Sequence, residues 1–277
     1  MQVPAAASTA LTSLLNGPAR PAEVIAAFPV ALYLTTPEGV IALETPAAVR
    51  LPNALTLHPA DHATVVRHAG SSGGRLVVGG GGVRVGPVEL VVGRWWDPVP
   101  RLGSRLDAPT LAARLDELQS LVPPWPDPDD PAAELLAVGR ELLAAAIAGR
   151  VSADHAAHCL VGLGAGLTPA GDDLLAGTVA GLVIFESSLG RSTASTPDES
   201  LSAAAARRAA TTTPLAADLT RHAARGAVAG PVAELCRALA GGREIPPAAK
   251  RLLEVGHTSG RDLAEGLLLS GRFLAAR

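Results

Sequence analysis

A glycine-rich stretch that leads into a helix start constrains the fold of this chain more than any other feature. Residues 162–177 have the sequence GLGAGLTPAGDDLLAG, with glycine at three alternate positions ahead of Thr168. Threonine is a favoured N-cap and Pro169 suits the first helical position, so the stretch predicts a tight turn followed by a helix capped by Thr168. Asp172 and Asp173 fall in the first turn, where acidic side chains complement the helix dipole.

The residues leave two interpretations of this turn open. Glycines let a ligand approach the backbone, and a helix N-terminus presents free N–H groups, so the turn can form an anion site. The alternative is a well-capped buried helix that binds nothing. The stretch matches neither the Walker loop nor the dinucleotide fingerprint, so an ATP or NAD site is not predicted. Two adjacent carboxylates would repel an anion unless they point away, hold a cation or carry a proton.

Composition excludes several classes of function. Of the 277 residues, 48% are hydrophobic and 18% are charged, and the formal net charge is −3. This balance provides no basic surface for nucleic acid and favours small molecules or proteins as partners. The longest apolar run, 174–185, is about half of a bilayer span, and residues 1–18 lack the features of a secretory leader. We therefore expect no membrane association and a cytoplasmic location, with Cys159 and Cys236 as free thiols.

The spacing of apolar residues changes along the chain. Within 28–96, Val-rich segments alternate with turn residues, which predicts a β-barrel-like or sandwich domain after a short N-terminal helical segment. Later apolar residues follow helical spacing, so we expect an α+β chain with a β-rich domain at 1–104 and a mostly α-helical domain at 105–277. A stiff Pro-rich connector, 123–128, lies near the predicted boundary. The predicted strands are 31–34, 40–43, 54–57, 75–78, 83–85 and 88–92, and the predicted helices are 111–121, 132–148, 152–160, 168–185, 214–225, 231–240 and 246–255.

Two later segments repeat the chemistry of the glycine-rich stretch. Residues 211–214 have the sequence TTTP and begin a predicted helix, on which Asp218 lies one turn before His222. Residues 256–262 have the sequence GHTSGRD, and the pattern G-x-T-x-x-x-D occurs both there and at 166–172. Each copy places a hydroxyl and a carboxylate at a helix head, which indicates helix N-termini that converge on one site.

Taken together, in order and spacing, the three segments resemble the C-terminal domain of the AllH family, a subunit associated with oxamate carbamoyltransferase in allantoin breakdown. The resemblance covers roughly 132–277, and Ala170 stands where the family usually has serine. It implies carbamoyl transfer between carbamoyl phosphate and oxamate, or a related small carboxylate or amide, in nitrogen catabolism. It also implies companion subunits in a homo- or hetero-oligomer. A non-catalytic subunit or metabolite-binding protein is the alternative, so whether the chain is itself an enzyme stays open.

The predicted site combines residues from all three segments. Asp172, Asp173 and His257 are the predicted catalytic residues, because a carboxylate or imidazole can move a proton. No Ser-His-Asp spacing is present, so we expect catalysis by positioning and electrostatics. No metal ligand set or cofactor is predicted, apart from the open alternative of Mg²⁺ at Asp172 and Asp173. The predicted substrate-binding residues, for a small anion such as carbamoyl phosphate, are Gly164, Gly166, Leu167, Thr168, Gly171, Thr212, Thr213, His222, Arg225, Thr258, Ser259, Gly260 and Asp262.

The repeated pattern also predicts how the site is arranged. We expect the helix starts at Thr168 and Thr258 to face one another, so that an anion meets N–H groups from both. Asp172 and Asp262 are then expected at the rim, where they hold a cation or orient His257 and Arg225. Small residues within 176–181 predict that the first of these helices is central and closely packed, and 187–200 is predicted to be an exposed, mobile loop.

Overall fold

Strands form in the first third of the chain because Val, Leu and Ala alternate there between buried and exposed positions. The structure is a computed structural model, in which the chain divides into two compact units, Met1–Pro98 and Val99–Arg277. The predicted domain boundary between residues 104 and 105 lies outside the described residues, so it stays a prediction. The described residues are 1–70, 75–102, 106–190 and 200–277.

The first unit is built on a single twisted sheet with two short helices. Its strands follow one another in the order β2-β7-β8-β9-β1-β6-β5-β4-β3. The two edge strands are separated in sequence by Ala22 alone, so the sheet must curl until its edges approach each other, and it is barrel-like. The strands are β1 Gln2–Ser8, β2 Arg20–Pro21, β3 Glu23–Ala27, β4 Ala31–Thr36, β5 Gly39–Glu44, β6 Ala54–Thr56, β7 Leu76–Gly79, β8 Gly82–Val85 and β9 Val88–Trp96, and the helices are α1 Thr12–Asn16 and α2 Pro59–Ala69.

The six predicted strands are confirmed as β4 to β9, whereas the start of the chain is not helical as expected. Strand β1 lies inside the sheet, parallel to β9 and antiparallel to β6. Its residues Val3, Ala5 and Ala7 alternate into the core. Alanine favours a helix by itself, but pairing on both edges and burial of alternate side chains outweigh that weak preference. Helix appears only at α1, after the strand ends.

The second unit is helical, which confirms the predicted fold class of a β-rich part followed by a mostly α-helical part. The predicted helices coincide with observed ones, and no element is predicted for the segment that forms α7. The helices are α3 Ala108–Leu121, α4 Ala133–Ile147, α5 Ala153–Leu160, α6 Ala170–Leu189, α7 Leu201–Arg207, α8 Pro214–Ala223, α9 Gly230–Leu239, α10 Ile245–Leu253 and α11 Ser259–Ala275.

Helix α6 is the centre of this unit, as its small residues predicted. Every residue from Ala170 to Gly181 is buried. The closest neighbour is α11: a Cβ atom built on Gly177 would lie 2.4 Å from the Leu263 carbonyl oxygen, and one on Gly266 would lie 2.4 Å from the Leu174 oxygen. Because neither glycine has a side chain, the two helix backbones touch, and their dispersion contacts stabilise the pair.

Helices α6, α8 and α11 run in the same direction. Along α6 and α11, Gly177 lies near Leu263, and further along Gly181 lies near Ser270. Helix α8 starts near the head of α6, and Gly226 beyond its end lies near Val183. The three N-terminal ends therefore lie at the same end of the unit.

The structure places both predicted connecting segments. The Pro-rich stretch 123–128 connects α3 and α4, as predicted, and it also packs on the start of α11. The predicted loop 187–200 begins later than expected, because the αL residue that ends α6 is Gly190. Most of that loop, residues 191–199, lies outside the described residues.

A buried acid in the first unit makes its stability depend on pH. Glu44 ends strand β5 with 1% of its surface exposed, and its carboxyl oxygens accept long hydrogen bonds from the Thr56 hydroxyl (3.3 Å) and the Leu51 N–H (3.4 Å). Burial raises the pKa of Glu44 to about 8, although these hydrogen bonds and the charge of Arg50 oppose the rise. The folded protein thus holds this proton over a pH range in which the unfolded chain releases it.

We predict that the first unit becomes less stable as the pH rises from about 4.5 to about 8, because there the unfolded chain binds fewer protons than the folded one. The loss is on the order of 1 kcal/mol per pH unit. Glu44→Gln should flatten this slope, as urea unfolding followed by circular dichroism at several pH values will measure. The exposed Glu23→Gln variant should keep the wild-type slope, and a slope that survives in Glu44→Gln contradicts the assignment.

We also predict that Gly266→Ala strongly destabilises the helical unit. The new Cβ would lie 2.4 Å from the Leu174 oxygen and 2.5 Å from the Thr178 nitrogen, which are backbone atoms that cannot move aside. Overpacking costs about 1–3 kcal/mol, so the melting temperature should fall by several degrees, roughly 5 °C. Gly242→Ala, whose Cβ would meet nothing nearer than 3.2 Å, is the control. Equal melting temperatures for the two variants would rule out backbone contact as the constraint.

Candidate functional site

The site is organised around the turn between α5 and α6. Gly162, Gly164 and Gly166 adopt φ values of +80°, +112° and +94°, a conformation that favours glycine. Gly164 and Gly166 are exposed, so this side of the turn is open to a ligand. The alternating glycines thus let the chain fold back tightly onto the head of α6.

The head of α8 is joined to this turn through two threonines. Asp172 Oδ2 accepts hydrogen bonds from the Gly162 N–H at 2.8 Å and from the Thr212 hydroxyl at 2.9 Å. The Thr213 hydroxyl donates to the Leu167 carbonyl at 2.5 Å. Burial raises the pKa of Asp172, and the bonds from Gly162 and Thr212 oppose that rise. Asp172 therefore links the turn, α6 and the start of α8.

The head of α11 meets the same turn from another side. The Thr168 and Ser259 hydroxyl oxygens lie 3.0 Å apart and share a hydrogen bond. Thr168 is not the helix cap that the sequence predicted, because Pro169 occupies the N-cap position and makes no side-chain cap bond. One of the backbone N–H groups at the head of α6, that of Gly171, donates instead to the Leu163 carbonyl. The Thr168 hydroxyl is therefore free to contact Ser259.

Two carboxyl groups lie behind this hydroxyl pair. Asp173 and Asp262 are 6% and 2% exposed, and the Oδ2 atom of each is buried with no hydrogen-bond partner among the described residues. Burial raises the pKa of Asp173 well above its usual value, hydrogen bonds from Ser259 and Thr168 oppose this, and the charge of Asp262 adds to it. Burial likewise raises the pKa of Asp262, against hydrogen bonds from Trp125 and Thr258.

The acids are therefore not at the rim of a pocket, as the sequence analysis expected for Asp172 and Asp262. Both are buried, because they take up the positions at helix heads where the dipole favours negative charge. Glycine positions nearby are structural: a Cβ on Gly171 would meet the Leu160 oxygen, and one on Gly260 the Leu252 oxygen. These two predicted binding residues allow close packing of the heads.

A segment that the site prediction missed covers the head of α11. Trp125 Nε1 donates to Asp262 Oδ1 at 2.7 Å, and Arg261 pairs with Asp127 at 2.7 Å. Hydrogen bonds from Arg261 and Asp129, and the nearby charges of Arg261 and His257, lower the pKa of Asp127. The predicted catalytic His257 is thus exposed beside this strap (123–128), and no sequence signal connected the strap to the site.

Two predicted binding residues lie away from the turn. His222 pairs with Asp218 at 3.4 Å within α8, as predicted; the pKa of Asp218 is lowered because the bonds and charges of His222 and Arg221 outweigh burial. Arg225 lines a pocket with Val183 and Ser187, toward the far end of α6. Val183 is eleven residues beyond Asp172, which is roughly 16 Å along a helix. Arg225 is therefore not positioned to act with Asp172.

The described residues contain no group of three or more His, Cys, Asp and Glu side chains arranged to hold a metal ion. At the alternative Mg²⁺ position, Asp172 Oδ2 is already used by two hydrogen-bond donors.

Among the described helices, none combines the length and apolar character that a bilayer span needs.

A comparison with known families matches the part of the chain that contains the three helix heads. A family model described as oxamate carbamoyltransferase subunit AllH covers the glycine-rich turn, the heads of α6 and α8, and most of α11. Residues 160–270 match AllH. The resemblance stated from the three motifs is thereby confirmed over this AllH segment. The segment begins at the end of α5, so the matched part contains all three helix heads and leaves out the β-rich unit and the strap.

No match was found among curated proteins or among solved structures. The roles of individual residues in the AllH segment therefore rest on their contacts. By that measure Asp172 is a structural link, whereas Thr168, Ser259, Asp173 and Asp262 form a connected polar group with unmet hydrogen-bonding capacity.

We predict that Asp172→Ala destabilises the glycine-rich turn. The change leaves the Gly162 N–H and the Thr212 hydroxyl without their acceptor, which costs about 1–3 kcal/mol. Hydrogen exchange of the Gly162 amide should accelerate in the variant. Asp116→Ala, which removes an exposed acid paired with Arg272, is the control and should leave that exchange rate unchanged. Unchanged exchange in Asp172→Ala would mean that another group holds the turn.

Proposed function

We propose that this chain is a subunit of a carbamoyltransferase and that its AllH segment binds oxamate, or a related small carboxylate or amide, beside the glycine-rich turn. The observation that carries the proposal is the meeting of three parallel helix heads at one turn, inside the segment that matches the family. Carbamoyl phosphate is the proposed second substrate. Companion subunits and a place in allantoin breakdown belong to the same proposal.

The polar groups at the turn suit a small molecule with both donors and acceptors. Thr168 and Ser259 provide half-buried hydroxyls, and the exposed turn at Gly164 and Gly166 provides backbone close to them. Such fixed groups bind without paying for reorganisation, which is how electrostatic catalysis of acyl and phosphoryl chemistry is achieved. Both hydroxyls oppose the rise in the pKa of Asp173, so Asp173 is the group best placed to exchange a proton through them.

An anionic substrate needs a positively charged group, and we propose that Arg261 provides it in place of the predicted Arg225. Arg225 lies toward the other end of α6, whereas Arg261 and His257 stand at the head of α11. We therefore propose that the anionic end of the substrate lies on the strap side of the turn, where Asp127 now holds Arg261. In this proposal the substrate competes with Asp127 for that guanidinium.

We predict that the purified full chain binds oxamate or carbamoyl phosphate and that Ser259→Ala weakens the binding by about tenfold, the cost of one hydrogen bond. Titration calorimetry measures the affinity. Arg225→Gln is a matched control from the predicted binding set, and it should bind as the wild type does.

Turnover of oxamate with carbamoyl phosphate by the chain alone would make it the catalytic subunit. Binding without turnover would place it as the binding subunit of a larger enzyme, which is the alternative function. Loss of binding in Arg225→Gln with normal binding in Ser259→Ala would move the site to the far pocket and refute the proposed location.

A further inference from the structure

The buried carboxyl groups Asp173 and Asp262 lack the compensation that buried charges need. Each has an Oδ2 atom that is inaccessible to solvent and has no hydrogen-bond partner in the described part of the chain. The two groups lie close enough for the charge of Asp262 to disfavour ionisation of Asp173. Isolated buried carboxylates are costly, so proteins pair them with a cation, a metal or a proton.

The neighbours of these carboxyls are almost all oxygen atoms or neutral donors. The Thr168 and Ser259 hydroxyls oppose the rise in the pKa of Asp173, and the Thr258 hydroxyl opposes that of Asp262. The Trp125 indole N–H donates a hydrogen bond to Asp262. Among the described residues, no Lys or Arg is a cause of the pKa shift of Asp173. Arg261 acts on Asp262 only at a distance, since its guanidinium is paired with Asp127 at 2.7 Å. In the part of the chain that the structure describes, neither of the two acids is therefore paired with a positively charged side chain.

Helix dipoles do not supply enough positive charge. Each of the three heads contributes about +0.5 charge, or about +1.5 together. Asp172, Asp173 and Asp262 contribute −3 when they are ionised, so the cluster has an excess of negative charge even with all three dipoles. This balance disfavours an anion in the interior of the cluster and favours a positively charged occupant.

We propose that Asp173, Asp262, Thr168 and Ser259 bind one dehydrated monovalent cation between the heads of α6 and α11. Two carboxyl oxygens and two hydroxyl oxygens form an oxygen donor set, which hard cations prefer. Mg²⁺ is a poor fit, because it dehydrates reluctantly and these carboxyls are sealed from water. The inference is independent of the proposed substrate.

Such a cation would connect the two copies of the repeated motif. Thr168 and Asp173 belong to the first copy and its helix, and Ser259 and Asp262 belong to the second. A shared ion would hold both helix heads, and with them the glycine-rich turn, in one arrangement. The ion therefore acts on the fold of the site and need not touch the substrate.

The test is thermal unfolding of the full chain in chlorides of sodium, potassium, ammonium, magnesium and choline at equal ionic strength. We expect at least one of the first three to raise the melting temperature saturably over choline, by roughly 5 °C. Dialysed protein should then contain one such ion per chain by elemental analysis, or by an ammonium assay. The melting temperature in magnesium chloride should be no higher than in choline chloride.

Variants make the assignment specific. Asp173→Asn should lose the cation dependence and, in choline, should melt no lower than the wild type, because the amide replaces a buried carboxyl group whose Oδ2 atom has no partner among the described residues. Thr168→Val is a second variant that should weaken the dependence if Asp173→Asn does not fold. Asp116→Asn, a variant of an exposed acid outside the cluster, should keep the cation dependence.

Three outcomes would overturn the proposal. One is a melting temperature that is the same in choline as in all three monovalent salts. Another is an unchanged cation dependence in Asp173→Asn or, where that variant is unfolded, in Thr168→Val. The third is stronger stabilisation by magnesium than by any monovalent ion. Oxamate binding measured in the same salts separates failure of this proposal from failure of the proposed function.

Discussion

The contact between the backbones of α6 and α11 is the constraint on which the helical unit depends. Gly177 and Gly266 allow an approach that any side chain would prevent, so the two helices can pack in one register. A shift by one turn would bring Asp262 or Ser270, which have side chains, to the place where Gly266 now meets the Leu174 carbonyl. This register places Thr168 beside Ser259 and brings Asp173 close to Asp262. The polar site is therefore a consequence of apolar packing deeper in the unit.

Parallel packing of three helices creates an electrostatic problem at their shared end. Three like dipole ends repel one another, and acidic residues in the first turns relieve that repulsion. Asp172 does so with hydrogen bonds from Gly162 and Thr212 that also shape the turn. Asp173 and Asp262 add more negative charge than the three dipole ends need for compensation. The same residues thus stabilise the bundle and leave polar capacity unmet in the place where the family match and the open turn coincide.

How far the sequence predicts this molecule depends on the range of the interactions. Helix starts and the strands β4 to β9 are encoded locally, and the repeated G-x-T-x-x-x-D pattern correctly implied that two helix heads meet. Strand β1 was missed because its pairing with β9 comes from more than eighty residues away and overrides the helical preference of alanine.

The site was predicted less well than the fold, for reasons that differ between residues. Thr168 looked like a cap because local patterns cannot reveal that Ser259 competes for its hydroxyl. Trp125 is not predictable as a site residue from local sequence, because its partner Asp262 is 137 residues away. The sequence spacing alone argues against placing Arg225 in the site. Arg225 comes eleven residues after Pro214, so about 16 Å of helix rise separates it from the head of α8.

The strap gives the site a built-in optical reporter. Trp125 is the one tryptophan of the chain beyond Trp95 and Trp96, and its indole N–H is bound to a carboxylate at the helix head. Indole emission responds to the charge and polarity of its surroundings. With Trp95 and Trp96 replaced by phenylalanine, all tryptophan fluorescence of the chain would come from this single position, and events at the head of α11 could be followed in real time without any label.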